Sequence, residues 1–555
     1  MRGKLAIGGL ALAICVSVVA AGASGALGGP SSRSSDQVRR GGTVVFGAEQ
    51  ETDCFNPILD ACNQFWNQVM VWSTTMAGAF RITPKFTFQP WLVSRAVQRN
   101  RPFTTTYYLR KNARWSDGRP ITMRDFQFTW RWIMDPKCEV AGREGYQDIR
   151  GFRALSRNGK TFRITWKRPY VWWRVLFSSV LPEHALRGED CNKTWQNNLN
   201  NPKTGRPIAS GPFIFQSYRP GQSLTIVRNP RYFGKRANVD RIVFRFLTQT
   251  STEIAQIRGG EVDAIYPQPQ LELASLRGQR GLRIQTHAGA TWEHIDMQLS
   301  KNAAALKQAW VRKAIIQGIN RPLLVRGLFR TLKPGLPVLN NVMFVSNNPF
   351  YQPAWNVWKY RPQRSISILR SHRCTGGPSR PGSGGGIYSC PGLGRLSFDY
   401  VSTAGNRLRE LSFEVIQRQL RSIGIELRSA FAPAAIAFGR RLVNKQFDMF
   451  MFAWVESGFP AGKYDLYGCK GQSNYMDYCN RRVDSLLRRA TQQTSPRRAS
   501  TFYNRANRVI AGAVPTVPLY QKPTYLVYKS SLRNMVDNTT NFGPTWNVEN
   551  WWKAR

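Results

Sequence analysis

Between residues 408 and 528 the apolar residues repeatedly change period, and that alternation restricts the chain to a layered α/β fold. Leu408, Leu411, Val415, Leu420 and Ile423 keep helical spacing, Gly424 supplies a C-terminal stop, and Ile425 to Leu427 resumes as a strand. Residues 447–454 form a near-continuous apolar run, which suits a strand buried on both faces. Helices near 481–492 and 497–511 precede a strand-like stretch from Val517 to Tyr528. Strands alternating with helices exclude all-α and all-β architectures. Upstream, strands are expected over 41–46, 107–110, 213–218 and 223–228, the last two joined around Pro220-Gly221. Thr122, three residues before Asp125, marks a helix start. A chain of 555 residues accommodates two to four such domains, and 18 Trp with 42% hydrophobic residues exclude a disordered or coiled-coil chain.

Arg2 and Lys4 precede an apolar run from Leu5 to Ala21, and Ala21-Gly22-Ala23 offers a small-residue cleavage site. This pattern predicts an export signal over 1–23, followed by a linker over 24–40. A retained membrane anchor is the competing reading of the same run. Cys15 invites lipid attachment, but Ile14 precedes it where such a site wants a small residue. Export implies an oxidising compartment, so the remaining cysteines are read as disulfides. Cys54 with Cys62, Cys374 with Cys390, and Cys469 with Cys479 are close neighbours across Gly-, Pro-, Asn- or Asp-rich loops; Cys138 with Cys191 follows by elimination. No pair has C-x-x-C spacing and the four His are scattered, so neither metal nor cofactor is expected.

The formal net charge is +47, from 79 basic and 32 acidic residues. The basic residues are spread along every segment and form no tail. That distribution is read as a general drift toward Arg, with attraction to an anionic cell envelope or capture of acidic ligands as the sharper readings; the export signal argues against a nucleic-acid protein. Gly159-Lys160-Thr161 lacks the leading glycine of a phosphate loop, because Ala154 stands there, and is read as a hairpin tip. Neither G-x-S-x-G nor H-E-x-x-H occurs. The carboxylates of Glu456 and Asp465 could serve glycoside hydrolysis only at a fixed separation that the sequence does not set. An enzyme is not expected.

The stretch LRKNARWSDGRPITMRDFQFTW (109–130) is followed in order by SGPFIFQSYRPGQSLTIVRNPRYFG (210–234), GGEVDAI (259–265), VRKAIIQGINRPLLV (311–325) and FDMFMFAW (447–454). From about residue 41 onward, this series resembles the family 5 extracellular solute-binding proteins, the oligopeptide and dipeptide receptors of bacterial ABC importers. The resemblance implies a two-lobed periplasmic-binding-protein-like fold of type II, with an extra inserted domain on the N-terminal side. Mapped by motif, lobe I covers 41–85, 205–288 and 513–555, the insert covers 86–204, and lobe II covers 289–512. Trp115, Asp117 and Gly118 are then scaffold.

The same resemblance implies an exported, monomeric receptor, in the periplasm or on the outer face of the envelope, that captures a peptide and delivers it to permease subunits in the membrane. Sugars, metal complexes, haem and opines are alternative solutes in related receptors; a secreted hydrolase and an envelope-adhering protein are the readings outside transport. The implied ligand-binding residues are Trp292, Glu293 and His294, on a strand lining the cleft, and Trp454, Glu456 and Ser457, where the buried strand ends. Peptide receptors of the family carry an Asp shortly after the Trp, pairing with the ligand's α-ammonium, and Ser457 stands at that position. Glu456, with Asp465 in reserve, is the expected substitute.

Overall fold

The computed structural model describes residues 38–300, 303–433 and 436–554. The readings of an export signal, an anchor and Cys15 lie outside them, as does nearly all of the expected linker. No helix among the described residues is long and apolar enough to cross a membrane.

Three sheets of four or more strands organise the described residues, beside three two-stranded ones. A seven-stranded sheet runs in the order Leu282–Gln285, Leu526–Lys529, Ala264–Ile265, Thr43–Ala48, Arg241–Phe246, Ser223–Arg228, Phe213–Arg219. A five-stranded sheet runs Glu426–Ser429, Ser397–Val401, Met449–Val455, Ala288–Met297, Thr516–Pro523. A four-stranded antiparallel sheet, Val93–Asn100, Phe103–Leu109, Thr161–Trp166 and Ile149–Ala154, lies within the expected insert. The fold is α/β and two-lobed, with each main sheet assembled from distant parts of the chain.

Local chemistry explains most elements. Thr122 caps the helix Met123–Met134: its hydroxyl accepts from Arg124 N, and Asp125 Oδ2 accepts from Thr122 N at 2.8 Å. Asp125 Oδ1 also receives Trp115 Nε1 at 3.3 Å and Glu183 N at 3.1 Å, which makes this motif a structural clasp. Gly118, at φ +96°, occupies a backbone region open mainly to glycine and turns the chain beside Asp117. Lys160 caps a hairpin and donates to Ala113 O. Met449, Phe450, Met451 and Phe452 are buried in the middle of the five-stranded sheet, between Ser397–Val401 and Ala288–Met297.

One expected strand is two. The stretch from Val517 to Tyr528 divides at Thr524-Tyr525: Thr516–Pro523 pairs with Ala288–Met297, and Leu526–Lys529 pairs with Leu282–Gln285. The first half therefore belongs to the five-stranded sheet, about ten residues past the boundary sketched at 513. Periodicity alone hides this break, because both halves are fully buried.

All four disulfides form as paired from the sequence: Cys54–Cys62, Cys138–Cys191, Cys374–Cys390 and Cys469–Cys479. Loop entropy ranks them, since closing 53 residues constrains the unfolded chain more than closing 8. Replacing both Cys138 and Cys191 by Ala should cost about 4 kcal/mol, against about 2.5 kcal/mol for Cys54 and Cys62. Urea unfolding of the two double variants measures the difference; equal losses would contradict the ranking.

Candidate functional site

Parallel strands of an α/β sheet gather ligands at their carboxyl ends, where the connecting loops leave a crevice. Here Arg241–Phe246, Thr43–Ala48 and Ala264–Ile265 run parallel and side by side. Glu49 follows the second strand and Tyr266-Pro267-Gln268-Pro269 follows the third; all five residues line a cavity of about 440 Å³. The opposite wall comes from the five-stranded sheet. Antiparallel register sets Thr291 across from Val455, so the start of one strand and the end of its neighbour reach the same edge. Gly289, Ala290, Thr291, Ala453, Val455 and Lys522 line the cavity from that side.

A ladder of polar groups runs from the cavity into the five-stranded sheet. Glu49 Oε1 accepts Trp66 Nε1–H at 3.2 Å and Gln268 Nε2–H at 2.6 Å. Gln268 Oε1 accepts from Lys522 Nζ at 3.1 Å. Lys522 Nζ also lies 2.8 Å from Glu293 Oε1, and Glu293 meets Arg409 at 3.1 Å. Burial pushes the Glu49 carboxyl up from its ordinary range. For Glu293, 0% exposed, burial acts in the same direction, but the Arg409 and Lys522 cations outweigh it and hold the carboxyl at about 2.

The seven residues expected from the sequence do not converge on this cavity. Trp292 is buried and its Nε1–H donates to Glu456 Oε1 at 2.8 Å. Glu456 is also buried and ion-paired with the buried Lys463, whose Nζ lies 5.4 Å from the Trp292 ring centre. The Glu456 carboxylate thus already holds a cation, unlike the vacant acid that the sequence suggested. His294 is buried between Trp292 and Phe452, with ring centres 4.8 and 4.3 Å away. Its Nε2 lies 3.4 Å from Asp296 Oδ1 without the geometry of a hydrogen bond. Trp454 is half-buried and stacks on Tyr475 at 6.3 Å. Trp292, His294, Trp454 and Glu456 therefore form one packed group, and Trp292 stands directly across from Trp454.

Glu293 serves the ion ladder. The Ser457 hydroxyl donates to Phe459 O at 3.1 Å and so stabilises the turn after the strand. Asp465 lies in a second, more polar cavity with Glu144, where burial and the Asp465 charge push the Glu144 carboxyl up to about 7. Sequence reasoning passed over Glu49, Gln268 and Lys522. For Glu49 and Gln268 the usable signal was position: Glu49 directly follows one strand of the parallel set, and Gln268 is the third residue after another.

Replacing Glu293 by Gln leaves Arg409 and Lys522 buried without their anion, which should cost about 3–5 kcal/mol at neutral pH. Because the folded carboxyl titrates at about 2, below the unfolded value of about 4.3, its contribution is complete above the unfolded value. It is lost as pH falls towards the folded one. Urea unfolding between pH 7 and pH 2 should show this acid-side loss of about 3 kcal/mol in the native protein and not in the variant.

The sequence profile of the bacterial extracellular solute-binding proteins, family 5 Middle, matches residues 87–477. The oligopeptide-binding protein OppA of Mycobacterium tuberculosis is 25% identical over 456 residues, covering 80% of this chain and 73% of its own. The oligopeptide-binding protein AppA of Bacillus subtilis is 22% identical over 572 residues, covering 100% of both. Among solved structures, the periplasmic EDTA-binding protein EppA superposes with a TM-score of 0.84 at 23% identity, over 93% of this chain and 97% of that one. The B. subtilis AppA complex with a nonapeptide gives 0.77 at 20% identity, over 94% and 100%. With the profile spanning most of the chain and the two-sheet cleft in place, this protein belongs to the bacterial extracellular solute-binding proteins of family 5.

Proposed function

We propose that the protein is the monomeric receptor of an ABC importer, which captures short peptides in the cavity between its two main sheets and passes them unchanged to a membrane permease. The cavity carries this reading. Its volume of about 440 Å³ lies within the range of small-molecule sites. Phe65, Trp66, Tyr266 and Phe438 offer apolar walls for side chains, while Gln64, Thr291, Thr539 and Thr540 offer partners for peptide amides. The names of OppA and AppA favour peptides over the other solutes this fold accepts. The receptor works outside the cytoplasm, in the periplasm or at the outer face of the envelope, where its +47 charge favours loose association with anionic polymers.

Solute capture follows from the connections. The chain passes between the sheets at 286–287 and again at 524–525, and two short adjacent crossings form a hinge about which the lobes close. Glu456 with Lys463 and Trp292 with Trp454 form the rigid backing of the lobe II wall, and Glu293 fixes Lys522 at its surface.

Native mass spectrometry of the purified protein should show an added mass that leaves on denaturation and is identified as a peptide of a few residues. Incubation with that peptide should return it uncleaved. Retention of a metal chelate, sugar or opine would replace the peptide reading, and release of cleavage products would overturn the receptor itself.

A further inference from the structure

Behind the cleft wall, near Glu49, lies a second carboxylate that nothing above uses. Glu253 sits in the first turn of the helix Thr250–Gly259, which follows the strand Arg241–Phe246. Glu49 follows Thr43–Ala48, and the two strands are parallel neighbours with Ala48 opposite Phe246. The topology thus delivers both acids to adjacent strand ends. Glu253 is 0% exposed, and neither of its carboxylate oxygens has a hydrogen-bond partner. A buried polar group left unmatched costs of order 1–3 kcal/mol, so an unmatched acid beside a cleft needs a reason. The chain does not lack cations: it has 79 Lys and Arg against 32 Asp and Glu, yet among the described residues none hydrogen-bonds to this group.

We propose that Glu49 and Glu253 form the cation subsite of the cleft, and that this subsite receives the α-ammonium of the captured peptide. The inference rests on the peptide-receptor reading and assigns to the lobe I wall the task that the sequence had placed at Glu456, with Asp465 in reserve. Glu456 is satisfied by Lys463, and Ser457 has no charge. Glu49 faces the cavity; burial raises its carboxyl pKa, and the hydrogen bonds from Trp66 and Gln268 and the Lys522 charge work against that shift. Glu253 has no donor; burial first and the nearby Glu49 charge second push its carboxyl up to about 10, so in the empty cleft it keeps its proton. An arriving ammonium supplies the missing positive charge. Glu253 ionises, its proton goes to solvent, and the ammonium rests on the Glu49 carboxylate with the Glu253 charge behind it.

The other charged groups nearby are engaged or exposed to solvent. Lys522 is committed to Glu293 at 2.8 Å. Asp263, just before the strand Ala264–Ile265, pairs with Lys529 and Lys553. Glu272, on the segment Leu271–Leu276 packed against the helix, is exposed. The Tyr266 hydroxyl, facing the same region, donates to Asp537 at 3.2 Å and stays protonated.

The test uses the full chain, a pool of tripeptides and the same pool N-acetylated, with the bound fraction read by native mass spectrometry. The unmodified protein should retain the free-amine pool, and Glu49→Gln should weaken that retention at least about tenfold while moving the acetylated pool less than about twofold. Calorimetry with the best-retained tripeptide, in two buffers of different ionisation enthalpy at pH 6.5, should show release of about one proton, absent in Glu253→Gln. If both variants bind free and acetylated peptides with the same ratio as the unmodified protein, the subsite is overturned and the peptide reading stands. Retention of acetylated peptides only when they contain lysine, with dependence on Glu49, would overturn the α-ammonium assignment. If neither pool is retained, the peptide reading fails and this inference fails with it.

Discussion

A two-stranded ribbon passes from one main sheet into the other, and the rest of the molecule is arranged around it. Leu282–Gln285 pairs with Leu526–Lys529 in the first sheet, and the same two chains pair as Ala288–Met297 and Thr516–Pro523 in the second. Between them, His287 N donates to Thr524 Oγ1 at 3.0 Å and Thr524 N donates to His287 O at 2.8 Å. Asp537 receives His287 Nδ1 at 2.9 Å and the Tyr266 hydroxyl at 3.2 Å. Its hydrogen bond raises the His287 pKa and favours a charged ring. Both crossings are short and tied side by side, so the two walls of the cleft are joined through one ribbon.

Within that frame, charge decides what the cleft can hold. A strongly basic chain would be expected to offer a basic pocket, yet the cations nearest the cavity are bound to acids: Lys522 to Glu293, Arg409 to Glu293, Lys463 to Glu456. Each pair is buried, where removing one partner is far more costly than its net worth. Glu49 is thereby left as the carboxylate lining the cavity, with Glu253 behind it. Among the described residues few other cations are buried, so most of the positive charge lies on partly or fully exposed side chains.

Much of the fold was readable because it depends on local pattern. The helix at Arg407–Arg421 with Gly424 beyond it, the capping box at Thr122, the hairpin around Pro220-Gly221 and three of the disulfides are all near-neighbour features. The cleft was harder to read, since its partners lie far apart: Glu293 meets Arg409 116 positions away, and Trp292 meets Glu456 164 positions away. Strand alternation adds a second difficulty. Trp292 and Trp454 attract attention in sequence, but their strands turn Thr291, Ala453 and Val455 to the cavity. Glu49 sits among several acids in AEQETD, with nothing in that run to single it out. Only the parallel pairing of Thr43–Ala48 shows that this acid stands at a strand end facing the cleft.

If solute binds between the two sheets, it lies against the strand ends that carry Glu49 and Lys522. A crystal structure of the protein with its co-purified solute tests this most directly. The account predicts solute density enclosed by Trp66, Gln268, Thr291 and Val455, with a polar atom of the solute within hydrogen-bond distance of the Glu49 carboxylate. Density centred instead in the polar cavity beside Glu144 and Asp465, with the space around Glu49 holding only water, would contradict it.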